Sequence, residues 1–72
     1  MTLKQMLTPR QFELAGLVSQ GLEAKEIAGE MGISHHTVKR MTMDASQKVG
    51  VTGRVRLAVR YALEKERGFY AS

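Results

Sequence analysis

Three features of this 72-residue sequence predict an all-α fold of four helices. Helix-capping residues stand at Thr8, Ser34 and Thr52, and glycines stand at Gly21, Gly32, Gly50 and Gly68, where helices would stop. Between these signals, apolar residues recur at three- and four-residue intervals, the spacing of a helix with one buried stripe. The boundaries divide the chain into a lead-in (1–6), one domain (7–67) and a short tail (68–72).

Residues 1–6 show no clear period and read as a frayed or loosely packed lead-in. Leu7-Thr8-Pro9-Arg10-Gln11-Phe12 then starts the first helix. Thr8 caps it, and Pro9 takes the first helical position, where its missing N–H costs nothing. Gln11 closes a capping box with Thr8, and Leu7 and Phe12 stand at the two positions of a hydrophobic staple. Leu14, Leu17 and Val18 make its core stripe, and Gly21 ends it. After Leu22, a short second helix spans Glu23 to Met31, with Ile27, Met31, Ala24 and Ala28 forming a compact apolar side. Gly32 ends it in a left-handed conformation, and Ile33 drops into the core.

The third helix, Ser34 to Val49, organises the chain. At about 100° per residue, Val38, Met41, Ala45 and Val49 share one narrow buried arc. Opposite them lie His36, Lys39, Arg40, Met43 and Gln47, long hydrogen-bonding side chains with one apolar member. Solvation alone requires no such selection, whereas a face that enters a DNA groove does. A short helix, a glycine-containing turn and a second helix with a polar outer face together make a helix-turn-helix.

Thr52 is expected to cap the fourth helix, Gly53 to about Arg67. Its apolar residues Val55, Leu57, Ala58, Val59, Tyr61, Ala62 and Leu63 cover roughly two thirds of the circumference, more than one core contact needs. The surplus, centred on Val59 and Leu63 with Tyr61 and Arg60, is expected to serve dimerisation; the plainer alternative is a last helix that wraps the domain's own core. Phe69 and Tyr70 fold back on the last turn or extend that second surface.

Composition narrows the function. Without Cys there are no disulfides and no thiolate metal sites, and a chain this short has a core that stabilises it only marginally. No apolar run reaches transmembrane length and no basic-then-apolar leader is present, so a soluble, unprocessed chain without membrane contact is expected. The formal charge is +4, and it is unevenly spread. Residues 1–33 carry three Lys and Arg against four Glu, while residues 34–72 carry eight against three acids. Positive charge therefore begins where the third helix begins, as a footprint for nucleic acid would.

In order along the chain, Leu7-Thr8-Pro9-Arg10, Gly21-Leu22, Lys25-Glu26-Ile27-Ala28 and Gly32-Ile33-Ser34 resemble the DNA-binding domain of LuxR/GerE-type (NarL-type) transcription regulators. Thr37-Val38-Lys39, Lys48-Val49-Gly50-Val51 and Arg54 continue the resemblance, which reaches from Leu7 to about Glu64. It implies a four-helix domain whose third helix is the recognition helix, and dimerisation through the fourth. It also implies base contacts from Lys39, Arg40 and Met43, and phosphate contacts from Thr37, Lys25 and Lys48. The chain departs from the family at Met41, where a His is frequent, at the light Ala45, and at Phe12 and Gly16, where polar residues are usual. Phe12 and Gly16, one turn apart, read either as an apolar spot for another protein or as a staple of Phe12 on Leu7.

Arg40 and Lys39 suit guanine O6 and N7 as donors, with Arg40 nearer the pole of the outward arc; the plainer alternative for both is phosphate. Met43 suits a thymine methyl, and Gln47 suits adenine or a phosphate. His36 flanks this base-facing set, while Ser34, His35 and Arg54 join the expected phosphate contacts. Adjacent His35 and His36 do not make a metal site, because neighbours about 100° apart grip one ion poorly and no third ligand is evident. No nucleophile, base and orienting group come together, so neither an enzyme nor a cofactor is expected. The expected function is that of a stand-alone regulator binding double-stranded DNA as a homodimer, in a bacterial or phage-type cytoplasm and associated with the nucleoid. The competing reading is an interaction module or antagonist that pairs with another regulator or with the transcription machinery. Region 4 of a sigma factor shares the first three helices but generally ends near its recognition helix.

Overall fold

Local chemistry starts the domain where the sequence places it. The Thr8 hydroxyl accepts the Gln11 backbone N–H at 3.2 Å, and Gln11 Oε1 accepts the Thr8 N–H at 3.0 Å, a complete capping box. The Glu23 N–H donating to Glu26 Oε1 at 2.9 Å, and the Ser34 hydroxyl on the Thr37 N–H at 3.1 Å, start the next two helices. The computed structural model describes residues 1–70; residues 71 and 72 of the expected tail lie outside the described residues. The described residues form five helices and no strand: α1 (Leu3–Met6), α2 (Pro9–Ser19), α3 (Ala24–Met31), α4 (His35–Val49) and α5 (Gly53–Glu66). The all-α expectation holds, with α2 to α5 as the four expected helices.

Two apolar clusters make the core. One gathers Leu14 and Val18 of α2, Ile27 and Met31 of α3, and Val38 of α4. The other gathers Leu3 and Leu7, Ala15 of α2, Ala45 and Val49 of α4, and Leu57 of α5. Ala45 is fully buried, and Met41 is half-buried against the first cluster, so both departures from the family pattern are accommodated within the packing.

The lead-in is not frayed. Thr2 and Gln5 form a capping box around α1, and Leu3 is fully buried. The reason lies 61 residues away: Glu64 Oε1 accepts the Leu3 N–H at 2.8 Å. Arg60 donates to the Met1 carbonyl at 2.8 Å and, through Nε, to Glu64 Oε2 at 3.0 Å. The same carboxylate accepts the Tyr70 hydroxyl at 2.6 Å. Glu64, 6% exposed, is thus satisfied by three donors from three parts of the chain. Burial alone would push its carboxyl up, but the bonds from Tyr70, Leu3 and Arg60 and the Arg60 charge outweigh burial, and the group is held below its ordinary 4.5. Burial and the same contact with Glu64 push the Tyr70 hydroxyl upward.

The apolar spot expected at Phe12 and Gly16 is also corrected. Phe12 lies in an aromatic cluster with Tyr61 and Tyr70, at centroid distances of 5.3 and 4.8 Å. Gly16 is buried beneath Tyr61: a Cβ added there would stand 3.0 Å from the Tyr61 hydroxyl. A mid-helix glycine costs about 1 kcal/mol relative to Ala, and the close passage of that ring is its reason. Gly29 of α3 has no neighbour within 4 Å at the same position, and nothing in the structure explains it.

These two glycines therefore respond oppositely to substitution. Gly16→Leu lowers stability by about 1–3 kcal/mol through overpacking against Tyr61, whereas Gly29→Ala raises it by about 0.5–1 kcal/mol, both read from urea midpoints. Because the folded-state pKa of Glu64 is depressed, its contribution is complete above the unfolded value of 4.5 and is lost as pH falls through the folded value. The urea midpoint accordingly drops below about pH 4.5, and Glu64→Gln gives a domain that is weaker at neutral pH and less sensitive to acid.

Candidate nucleic-acid interface

The turn between α3 and α4 sets how α4 is presented. Gly32 adopts φ 67° and ψ 35°, the left-handed conformation that a side chain disfavours. The N–H of Ile33 closes on the Ala28 carbonyl at 3.1 Å. Arg10 reaches across from α2 and donates to the Met31 carbonyl at 3.0 Å, fixing the end of α3 against the first turn of α2. Ile33 packs on the core cluster beneath, and Ser34 caps α4.

From that start, α4 turns Val38, Ala45 and Val49 inward, and His36, Lys39, Arg40, Met43 and Gln47 are all exposed. Met43, 60% exposed, is an apolar side chain held in solvent amid polar neighbours. Among the described residues the ion pairs are Arg10–Glu13 and Arg60–Glu64, so Lys39 and Arg40 are left without acidic partners. The outward face is thus a row of unpaired donors around one methionine.

Its two flanks differ. On one side lies an open, mainly apolar hollow between the starts of α3 and α5, with Lys39, Met43 and Gln47 at one wall and Thr52, Gly53 and Arg54 at the other. This hollow brings together expected base-facing and phosphate-facing residues from separate stretches of sequence. Arg54 donates one guanidinium N–H to the Leu22 carbonyl, which ties the α2–α3 connection to α5. Thr52 stands at the N-cap of α5, but its side chain makes no capping bond, contrary to expectation. Thr52 and Gly53 join this surface, although as an ordinary helix start in the sequence they carry no signal of it.

On the other flank, exposed Lys48 donates to Gln11 Oε1 at 3.2 Å, beside the start of α2. At the N-terminal end of α4, the Ser34 and Thr37 hydroxyls bond each other at 2.8 Å. Ser34 serves the Thr37 N–H, leaving those of His35 and His36 without an intrahelical partner. The two imidazoles lie 5.9 Å apart. No group of three or more His, Cys, Asp and Glu able to hold a metal ion occurs among the described residues. Lys25 is exposed in the first turn of α3.

The residues expected for dimerisation separate. Val59 and Leu63 are 52% and 44% exposed, and Val55, one turn earlier, is 70% exposed. Tyr61 instead turns inward onto Phe12 and Gly16, and Arg60 is engaged by Glu64 and the Met1 carbonyl. Tyr61 shares the inner side of α5 with Leu57, and Arg60 closes the N-terminal segment. No helix among the described residues is long and apolar enough to cross a membrane.

Comparisons with known proteins agree with this geometry. Residues 5–61 match the family described as bacterial regulatory proteins, luxR family. The spore germination protein GerE of Bacillus subtilis is 43% identical over 56 residues, covering 78% of this chain and 76% of that protein. The transcriptional regulatory protein UhpA of Escherichia coli is 41% identical over 54 residues, 75% of this chain and 28% of that protein. The transcriptional regulatory protein MctR of Rhizobium johnstonii is 38% identical over 58 residues, 81% of this chain and 27% of that protein. The chain therefore spans less than a third of the length of UhpA and of MctR. No solved structure gives a significant match. The chain belongs to the LuxR family of bacterial regulatory proteins, a family of DNA-binding transcription regulators and not of enzymes.

Proposed function

We propose that this chain binds specific double-stranded DNA sites as a homodimer, with α4 of each copy in a major groove and the copies joined through α5. The observation that carries this reading is the row Lys39, Arg40, Met43 and Gln47, exposed and free of acidic partners, directly opposite the stripe that fixes α4 to the core. Arg40 and Lys39 present donors for guanine edges, Met43 suits a thymine methyl, and Gln47 and His36 extend the readout along the helix. Arg54 on the hollow side, Lys25 in the exposed first turn of α3 and Lys48 on the α2 side are the cations placed for phosphate. His35, Thr37 and Ser34 lie at the N-terminus of α4, where free backbone amides favour an anion.

The α5 stripe supports a two-fold partner, because Val55, Val59 and Leu63 follow each other at one-turn intervals and are exposed among the described residues. A second copy joined there gives two recognition helices at a fixed separation, hence two half-sites at a fixed spacing.

Selection from random duplexes followed by anisotropy titration tests the proposal. Three phosphate-facing cations per copy predict about six neutralised phosphates per dimer, and a slope of log K against log salt on the order of −5. Lys48→Ala weakens binding to all sequences and makes that slope shallower by about 2. Arg40→Ala costs about 1–3 kcal/mol per half-site and relaxes preference at one base pair. DNA affinity unchanged in a Lys39→Ala, Arg40→Ala double variant rules out α4 as the reader. Leu63→Glu returns the protein to monomers in sedimentation; a dimer that survives it uses another surface.

A further inference from the structure

The C-terminal segment after α5 lies beyond the family match, and its two aromatic side chains are held in opposite senses. Gly68 turns the chain at φ 82°, and the Phe69 N–H bonds the Glu64 carbonyl at 3.0 Å. Tyr70 then points inward. It packs on Phe12 at 4.8 Å and on Tyr61 at 4.9 Å, and its hydroxyl bonds the Glu64 carboxylate at 2.6 Å. Phe69 is 51% exposed. It lies at one end of a shallow groove whose floor is Val55, Val59 and Leu63, and Val51 lies at the other end. Among the described residues, a large apolar ring is thus held half in solvent, continuous with the exposed stripe of α5.

We infer that Phe69 is part of the surface on which two copies of this chain associate, and that Glu64, through Tyr70, is the residue that positions it. The inference rests on the reading of α5 as the dimer face. In a two-fold contact residue i meets residue j while j meets i. For antiparallel α5 helices centred on Val59, Val59 meets its own counterpart and Val55 meets Leu63 of the second copy. The two ends of the groove then coincide, which brings Phe69 of each copy to Val51 of the other. A contact built from one fourteen-residue helix is at the small end of specific interfaces, so one added aromatic at each end matters to its strength.

The chain has no Cys, which allows a direct test on the full chain. Val51→Cys and Phe69→Cys proteins are prepared separately and mixed under mild oxidation. The expected result is an intermolecular disulfide that forms faster in the mixture than in either protein alone, since only the mixture places the two thiols opposite each other. Phe69→Ala and Tyr70→Phe each weaken the parent dimer about tenfold in sedimentation, with helix content unchanged. Tyr70→Phe in the Phe69→Cys background slows the mixed cross-link. Equal cross-linking rates in all three samples, or a Phe69→Ala dimer as strong as the parent, overturn the inference while leaving α5 as the interface if Leu63→Glu still gives monomers. A monomeric parent, or a dimer indifferent to Leu63→Glu, overturns the α5 reading and this inference with it.

Discussion

Val38 anchors α4 in one apolar cluster, while Ala45 and Val49 anchor it in the other, so the helix is fixed at two points along its length. A helix held at one end can swing, whereas one held near both ends can only turn its remaining face outward. That constraint orients Lys39, Arg40, Met43 and Gln47, none of which has a partner to orient it. The rest of the domain serves the same geometry. Arg10 and Gly32 fix the turn that delivers α4, and Arg54 holds the α2–α3 connection against the start of α5. The fully buried Ala45 lets α4 lie close to its support, because a longer side chain there would lift the helix.

The second half of the fold depends on how α5 divides its circumference. Leu57, Tyr61 and Glu64 face the protein, and Val55, Val59 and Leu63 do not. A buried carboxylate in so small a core is costly unless fully hydrogen-bonded, and Glu64 meets that condition only by drawing in Leu3, Arg60 and Tyr70. One polar group therefore closes both ends of the described chain onto one helix. Among the described residues the outer stripe stays exposed beside it.

The sequence made legible whatever is decided within a few residues. Thr8 with Gln11, Ser34 with Thr37 and Gly32 before Ile33 are local contacts, and the helices they bound lie within a residue or two of expectation. The two faces of α4 were legible for the same reason, since helical periodicity alone sorts them. What stayed hidden depends on partners far along the chain. Residues 1–6 have no pattern of their own, and Leu3 is ordered by Glu64. Gly16 and Phe12 looked like a surface because Tyr61 and Tyr70, which cover them, lie more than forty residues away. Tyr61 and Val59 both belong to the wide apolar arc of α5, which serves two faces, and apolar character alone does not say which residue belongs to which. The hollow beside α4 has no signature in the sequence because Thr52, Gly53 and Arg54 become its wall only when α5 packs against α3 and α4.

Asp44 is the residue that most constrains how the outward face meets an anionic partner. It is exposed one turn after Arg40 and one turn before Lys48, yet it pairs with neither, and Lys48 bonds Gln11 instead. Its charge is thus offset in place by two cations rather than locked into an ion pair. The hollow side of α4 carries Lys39 and Arg54 and no acid along its wall. In the proposed complex, a phosphate strand is drawn more strongly to the hollow side than to the Asp44 side. That asymmetry favours a tilt of α4 in the groove, with Lys39 and Met43 reaching deepest. A tilt toward the hollow also moves Asp44 away from phosphate, so the same set of charges that attracts the DNA sets the angle at which it is read.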